Sequence, residues 1–194
     1  MYRLSTLLVI ACLAGCSPAF INGTPNENSP NFQLPVGSEI QLEQTVEIPA
    51  GRDQLYFQNG RTMDWHEVDI YLPHCALQVT SKREAARPVQ PDVFVVNDTY
   101  TERFFKQVRT PTLIPAIKPA AFGAMPLTAG GDIDSDGGMD YEVVAVIMTL
   151  YSDRQPQVTA LTCADWGLPQ DTVHITVHKI RRALDGFFTI TVHP

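Results

Sequence analysis

Apolar and polar residues alternate along several short segments, and this pattern constrains the fold more than any other feature of the chain. In residues 39–48, four apolar side chains share one face of an extended segment and four polar side chains share the other. The apolar set is Ile40, Leu42, Val46 and Ile48, and the polar set is Glu39, Gln41, Glu43 and Glu47. Because successive side chains of a strand point to opposite faces, this period predicts one half-buried strand.

Further strands are predicted along the rest of the chain. They cover Gln54 to Gln58, Val68 to Leu72, Cys75 to Thr80, Asp92 to Val96, Val143 to Tyr151, Val158 to Cys163 and Phe187 to Val192. The run Val143 to Tyr151 is almost wholly apolar, which indicates a central strand buried on both faces. Asn59-Gly60 tolerates positive φ and predicts a tight hairpin. The stretch Pro111 to Pro126 has four prolines and no period, which predicts an irregular excursion.

One helix is predicted near the C-terminus. Thr176 is a suitable N-cap, and Asp185-Gly186 is a typical stop signal. The apolar residues between them recur at helical spacing: Val177, Ile180, Ala183 and Leu184. The alternative is that residues 173–179, which also alternate, continue as a strand. The whole pattern predicts a mainly β chain, folded as a single sandwich or barrel-like domain with one short C-terminal helix.

The N-terminus has the layout of an export signal. Arg3 precedes the apolar stretch Leu4 to Leu13, and the small residues Ala14-Gly15 come directly before Cys16. The stretch has roughly half of the ~20 apolar residues that a membrane-spanning helix needs. Leu13-Ala14-Gly15-Cys16 resembles the lipobox of bacterial lipoproteins, whose cysteine thiol takes a diacylglyceryl group. The resemblance implies that residues 1–15 are removed and that Cys16 is lipidated; the alternatives are an uncleaved anchor or an ordinary secretion signal.

The same resemblance implies a location. Ser17 rather than aspartate follows Cys16, and lipoproteins similar in this respect usually reach the outer membrane of Gram-negative cells. The implied protein is a palmitate-bearing lipoprotein that is tethered to the membrane by its lipid, with its domain in the periplasm. Residues 17–37 are rich in Pro, Asn, Ser and Gly and predict a flexible tether. The predicted organisation is a signal peptide (1–15), a lipidated cysteine with tether (16–37) and a β-rich domain (38–194).

This location bears on the four cysteines. Cys12 would leave with the signal peptide and Cys16 would carry the lipid, so Cys75 and Cys163 remain in an oxidising compartment. A disulfide between them is the simplest outcome. It would close a loop of about 88 residues, and the chain-entropy estimate for such a loop is at most about 4.6 kcal/mol. A reactive thiol or a metal pair is the alternative, although neither cysteine lies in a C-x-x-C motif.

The charge of the chain argues against nucleic acid as a partner. The chain has 14 basic and 21 acidic residues and a net charge of −7, and loss of Arg3 with the leader would make it more negative. An acidic domain repels phosphate backbones. The basic clusters at Lys82-Arg83 and around Lys179 are short and interspersed with other residues, which is typical of a solvated surface.

An acidic loop between residues 131 and 140 is the sharpest candidate for metal binding. Its aspartates alternate before a glycine and resemble the start of an EF-hand calcium loop. Matched position by position, Asp132, Asp134 and Asp136 are the first three ligands, Gly137 is the turn and Asp140 is the ninth position. The twelfth position departs from the pattern, because Val143 stands where a bidentate glutamate belongs and Glu142 comes one residue early. The alternative is an acidic surface loop without an ion.

The sequence contains no catalytic motif that is as specific as the lipobox. The chain has no G-x-S-x-G, H-E-x-x-H or glycine-rich phosphate loop. Trp65, Tyr71 and Trp166 could line a ligand-binding face, although such residues are more often core or edge aromatics. Segments such as Ile48 to Arg52 and Tyr71 to Cys75 are similar to uncharacterised lipoproteins of Gram-negative bacteria, a resemblance that implies no active site.

The expected function is therefore a membrane-anchored, non-catalytic binding or structural module with a protein partner in the cell envelope. Two alternatives remain open at this point. One is a calcium-dependent binding module that uses the acidic loop. The other is an envelope hydrolase whose site assembles from residues that are distant in the sequence.

Overall fold

The structure is a computed structural model that describes residues 20–21, 24–109, 138–171 and 173–193. The chain is mainly β, with 49% strand. The strands are β1 Phe20–Ile21, β2 Thr24–Pro25, β3 Glu39–Leu42, β4 Val46–Ile48, β5 Gln54–Gln58, β6 Arg61–Met63, β7 His74–Val79, β8 Arg87–Val89, β9 Asp92–Arg109, β10 Gly138–Tyr151, β11 Val158–Gly167 and β12 Phe188–Thr191. Helix α1 is Val177–Ala183, and a 3-10 turn spans Trp65–Glu67.

Eight of these strands form one antiparallel sheet that curls into a half-barrel. Its strand order is β12-β3-β9-β10-β11-β7-β5-β6, and β1-β2 and β4-β8 form two small separate pairs. The predicted mainly β, barrel-like fold is thus confirmed. Strand β10 lies between β9 and β11 in the middle of the sheet, as its apolar run predicts. Asn59 and Gly60 have φ angles of 50° and 69°, so the predicted β5–β6 hairpin is confirmed as well.

The concave face of the sheet carries the main core. Alternate residues of the central strands are buried there: Val144, Val146, Met148 and Leu150 of β10, Leu161 and Cys163 of β11, and Cys75 and Leu77 of β7. Cys75 and Cys163 lie directly opposite each other in the β7–β11 register. Their Cα atoms are 4.0 Å apart and their sulfurs are bonded. The predicted disulfide is confirmed, and it lies inside the core because both cysteines alternate inward.

Helix α1 covers part of this core. The Thr176 hydroxyl accepts a hydrogen bond from the Lys179 N–H at 3.3 Å, as expected of an N-cap. Gly186 has a φ of +73°, a backbone conformation that glycine adopts at low cost, and it ends the helical segment. Val177 and Ile180 are buried on the face that packs against the sheet. The predicted helix is confirmed, and the alternative of a continuing strand is wrong.

The single strand predicted over residues 39–48 is wrong, because this segment forms two strands that belong to different sheets. β3 pairs with β9 and β12, whereas β4 pairs with β8. Between them the Glu43 N–H donates to the Phe187 carbonyl at 2.9 Å. The apolar side chains predicted to share a face are all buried: Ile40, Leu42, Val46 and Ile48. The alternation therefore predicted correctly which side chains are buried. It did not predict that the segment divides into two strands.

The strand predicted at residues 68–72 is also wrong, because this segment is a loop held by a buried glutamine. The Gln58 side-chain amide donates to the carbonyls of Asp69 and Leu72 at 2.8 and 3.1 Å. Its side-chain carbonyl accepts the Asp69 N–H at 3.0 Å. These bonds satisfy backbone groups that a strand would have paired within a sheet. A contact of this kind has no local signature in the sequence.

The segment predicted as a flexible tether packs onto the domain along residues 26–37. Phe32 and Leu34 are buried in the main core. The Glu27 carboxylate accepts two hydrogen bonds from the Arg181 guanidinium at 2.7 and 2.9 Å. The predicted boundary at residue 38 is therefore too late. The preceding Cys16 and the stretch Pro111 to Pro126 lie outside the described residues.

A buried carboxylate joins the start of β9 to the turn after β10. Asp92 is buried, and its carboxylate accepts hydrogen bonds from Ser152 Oγ at 2.6 Å, Gln155 Nε2 at 3.3 Å and the Arg154 guanidinium. It also accepts the Val93 N–H at 2.8 Å. Burial alone would raise the pKa of Asp92, but these hydrogen bonds together outweigh it and lower the pKa below its ordinary value.

This lowered pKa predicts a loss of stability in acid. The unfolded state takes up the proton near the ordinary Asp pKa of about 3.9, whereas the folded state holds its carboxylate to lower pH. The unfolding free energy contributed by Asp92 is therefore present above that value and falls as the pH decreases towards the folded pKa. In urea denaturation at neutral pH, Asp92→Asn should cost about 1–3 kcal/mol, because hydrogen bonds to the carboxylate are lost.

The matched control for this experiment is Asp98→Asn, which changes an exposed carboxylate on the same strand. It should leave the stability and its pH dependence nearly unchanged. The difference between the wild type and Asp92→Asn should shrink as the pH is lowered from 6 to 3. A difference that stays constant over this range would contradict the assignment.

Candidate functional site

A second, smaller apolar cluster lies on the convex face of the sheet, opposite the main core. Tyr141, Val143 and Trp166 are buried there. Val143 and Trp166 are register partners on β10 and β11, and they alternate with the residues that point into the core. Trp65 and Ile70, on the loop between β6 and β7, pack against this cluster. The cluster thus joins the loop to the outside of the sheet.

Trp65 is positioned by hydrogen bonds that span its 3-10 turn. The Asp64 N–H donates to the Glu67 carboxylate at 3.1 Å, and the Glu67 N–H donates to the Asp64 carbonyl at 2.9 Å. These bonds fix the turn and hold the indole above the sheet. Its ring centre lies 5.3 Å from that of Tyr56 and 6.2 Å from that of Trp166. The two tryptophans of the chain therefore belong to one aromatic group.

Lys106 lies over both tryptophans. Its Nζ atom is 5.6 Å from the centre of the Trp65 ring and 5.3 Å from the centre of the Trp166 ring. An ammonium at such distances is attracted to the negative faces of the rings. Lys106 lies on β9 opposite Tyr141, so the strand register brings it to the aromatic group. The side chain is exposed and remains accessible from solvent.

A cleft of about 280 Å³ opens beside Trp65. It is lined by Arg52, Asp53, Gln54, Tyr56, Asp64, Trp65, Lys82 and Lys106. Three of these side chains are cationic and two are carboxylates, so the cleft has a positive excess on a chain whose net charge is −7. The aromatic surface, the hydrogen-bonding groups and the positive charge converge in one place. This combination is suited to ligand binding.

Two titratable side chains at this site are held neutral near pH 7. Burial raises the pKa of the Tyr56 phenol, the Asp53 carboxylate raises it further, and Arg52 opposes the change. The Tyr56 hydroxyl donates to the Gln54 side-chain carbonyl at 2.6 Å. Burial also lowers the pKa of His74, whose ring packs against Trp65 and whose Nδ1–H donates to a backbone carbonyl. The charge of the cleft therefore comes from its basic and acidic residues.

All three aromatic residues singled out in the sequence belong to this cluster. Trp65 and Trp166 are in ring contact, and Tyr71 packs on Tyr141, with their hydroxyl oxygens 2.7 Å apart. The sequence did not single out Tyr141 or Lys106. The β10–β11 pairing brings Tyr141 near Trp166, and the β9–β10 pairing brings Lys106 opposite Tyr141. No local pattern marks either pairing.

The other candidate sites from the sequence are a buried disulfide and sites that lie wholly or partly outside the described residues. Cys75 and Cys163 are fully buried in their disulfide and play a structural role. Asp132, Asp134 and Asp136 lie outside the described residues, as does the lipidation candidate Cys16. Asp140 is exposed on β10, opposite Gln107 on β9. The calcium and lipid sites therefore stay predictions from the sequence.

Among the described residues, no group of three or more His, Cys, Asp or Glu side chains could hold a metal ion. Their helical segments include none with the length and apolar character needed to cross a bilayer.

A polar network on the concave face of the same strands is internally paired. Lys179 Nζ donates to the Asp165 carboxylate at 2.5 Å and to the His174 carbonyl at 2.7 Å. Arg103 donates to the Glu142 carboxylate at 2.9 Å. These contacts join α1 and the segment before it to the sheet, which favours a structural role over ligand binding.

Comparison with known proteins identifies no relative of this chain. No protein-family model matches it, and neither a curated protein nor a solved structure is similar enough to count as a match.

Proposed function

We propose that this chain is a lipid-anchored protein of the cell envelope whose β-rich domain is a non-catalytic binding module. The cleft beside Trp65 is its ligand site. The observation that carries the proposal is the positive excess of the cleft next to two tryptophans in tilted ring contact, on a chain that is acidic as a whole. The similarity of Leu13-Ala14-Gly15-Cys16 to a lipobox supports the anchoring, and with it an outer-membrane location facing the periplasm.

The lining of the cleft favours an anionic saccharide as the ligand. The flat, apolar face of an indole packs well against the C–H groups of a sugar ring. Gln54, Asp53 and Asp64 offer amide and carboxylate groups that hydrogen-bond to hydroxyls. Arg52 and Lys82 supply charge-assisted hydrogen bonds to a carboxylate or a phosphate. The cleft is slightly smaller than the roughly 300 Å³ at which typical ligand pockets begin, which suits one sugar unit of a longer chain.

The two tryptophans provide a direct test of this site. In two-dimensional NMR spectra of the ¹⁵N-labelled protein, the two indole N–H signals report on Trp65 and Trp166. We expect glucuronic acid and glucose 6-phosphate to shift these signals at lower concentrations than glucose or inorganic phosphate does. The two charged sugars also distinguish a carboxylate from a phosphate as the preferred anion.

Variants of the cleft sharpen this test. Of the two charged sugars, one will bind more tightly. Lys82→Ala should weaken the binding of that sugar by about ten-fold, because one charge-assisted hydrogen bond is lost. Arg182→Ala removes a cation from a separate depression beside α1 and should leave the affinity unchanged. The proposal fails if none of the four probes moves the indole signals. It also fails if Lys82→Ala binds the charged sugars as tightly as the wild type.

A further inference from the structure

Strand β9 is paired on both edges along only its first part. β9 has 18 residues, and β10 pairs with it almost throughout. On the other edge, β3 pairs with residues 92–95, and the N–H and carbonyl of Val96 bond to Ser38 and Gly37. Along residues 97–109 no strand among the described residues pairs with this outer edge.

The side chains along this edge are exposed and partly aromatic. Residues 100–106 are all exposed, and Tyr100 and Phe104 both show 42% of their surface to solvent. A long edge of this kind presents unpaired backbone N–H and carbonyl groups to any strand that approaches it. Backbone pairing at a sheet edge is a common way for two chains to associate. The position of the edge therefore suits an added strand.

We propose that a second copy of this chain pairs with this edge. The two β9 strands run antiparallel about a two-fold axis at Phe104 and join the two sheets into one. In this register Phe104 lies opposite Phe104 of the other copy. Glu102 of each copy lies opposite Lys106 of the other. Opposite charges and aromatic residues directly across two strands stabilise their pairing.

The charges along the edge select this register. A two-fold axis at Glu102 or at Arg103 would place like charges directly opposite each other, which is destabilising. An axis at Thr101 or Phe105 would pair no opposite charges. Only the axis at Phe104, among these five centres, forms two Glu–Lys pairs with no like-charge pair. The edge is thus complementary to itself, which favours a second copy over an unrelated partner strand.

The proposed interface is continuous with the aromatic cluster. Glu102 and Lys106 alternate onto the convex face, where their β10 partners are Ala145 and Tyr141. Arg103 points to the other face and is paired with Glu142 within its own chain. The charge of Arg103 is therefore already compensated. Glu102 has no ion pair among the described residues, and Lys106 has ring contacts with Trp65 and Trp166 but no carboxylate partner there.

Cysteine cross-linking of the full-length chain tests the proposal. In Phe104→Cys, the two introduced thiols would face each other across the axis, at the close spacing of directly opposite residues. Oxidation with copper phenanthroline should convert this variant to a covalent dimer on a non-reducing gel. The control is Tyr100→Cys, which has the same exposure but places its two thiols on opposite sides of the axis. It should stay monomeric.

Charge reversal tests the register. In the Phe104→Cys background, Glu102→Lys or Lys106→Glu alone turns both Glu–Lys pairs into like-charge pairs, which should weaken dimerisation about ten-fold. Combining the two changes should restore the cross-link. The proposal is overturned if Phe104→Cys remains monomeric, or if Tyr100→Cys cross-links equally well. A disulfide to another protein in place of the homodimer, or no rescue by the double reversal, overturns it as well.

Discussion

Reducing the Cys75–Cys163 disulfide is expected to lower the unfolding free energy by about 3–4 kcal/mol. The two cysteines are 88 residues apart, so the bond closes a long loop in the unfolded chain. Chain-entropy estimates put the maximum effect for such a loop at about 4.6 kcal/mol. A loss of this size is a large share of the stability of an ordinary domain, which is about 5–15 kcal/mol.

Urea denaturation with and without dithiothreitol measures this effect. Reduction keeps both sulfur atoms in the core, so the comparison isolates the cross-link from the packing. The slope of free energy against urea should also rise, because the reduced unfolded chain exposes more surface. The control is the double variant Cys75→Ala with Cys163→Ala, on which dithiothreitol should have no effect. A change below about 1 kcal/mol in the wild type would show that the cross-link contributes little.

The second large effect concerns the N-terminus: Cys16→Ala should abolish stable membrane association. The resemblance to a lipobox implies that the Cys16 thiol carries the lipid, and alanine has no group to accept it. Stable anchoring by lipid needs more than one acyl chain, so loss of the lipidated cysteine leaves no comparable anchor. Cell fractionation followed by an alkaline carbonate wash, together with palmitate labelling, measures both association and modification.

The matched control for this variant is Cys12→Ala, which replaces the cysteine within the predicted leader. Cys12 lies within the apolar stretch and is predicted to be removed with it, so this variant should keep its lipid and its membrane association. If Cys16→Ala remains in the washed membrane fraction, the anchoring prediction is refuted. The disulfide and the cleft would be unaffected by that outcome.

Local patterns in the sequence predicted much of the fold. Alternation at Gln54 to Gln58, the Asn59-Gly60 pair and the capped run at Thr176 each depend on a few neighbouring residues. They predicted β5, its hairpin and α1 correctly. Alternation could not predict the break between β3 and β4, because that break depends on which strands pair with each half of the segment.

The predictions of a flexible tether and of a strand at residues 68–72 were wrong for the same reason, because they too depend on contacts between distant residues. Phe32 and Leu34 are scattered apolar residues in a polar segment. Their structural role depends on their burial in the main core, which the local sequence does not indicate. The loop after Trp65 is held by Gln58, whose side chain replaces the pairing of a strand. In both cases the deciding contact joins residues that no short sequence window contains.

The candidate site, like the fold, could be predicted only in part from the sequence. The sequence singled out Trp65, Tyr71 and Trp166 by residue type alone, without any indication that they meet. The loop between β6 and β7 brings Trp65 against Trp166 and Tyr71 against Tyr141. The β9–β10 register places Lys106 over two of the rings. The acidic loop, by contrast, is a local pattern, and it stays a prediction that a calcium titration can test.

The sequence by itself determined the class of the fold, the shared burial of Ile40, Leu42, Val46 and Ile48 and the position of the helix. Side-chain period and capping are short-range properties of the chain, so a few adjacent residues are sufficient to specify them. Only the tertiary structure decided which strands pair, where the half-barrel leaves β9 exposed and which charges line the cleft. These depend on contacts between residues far apart in the chain, and such contacts exist only once the sheet has formed.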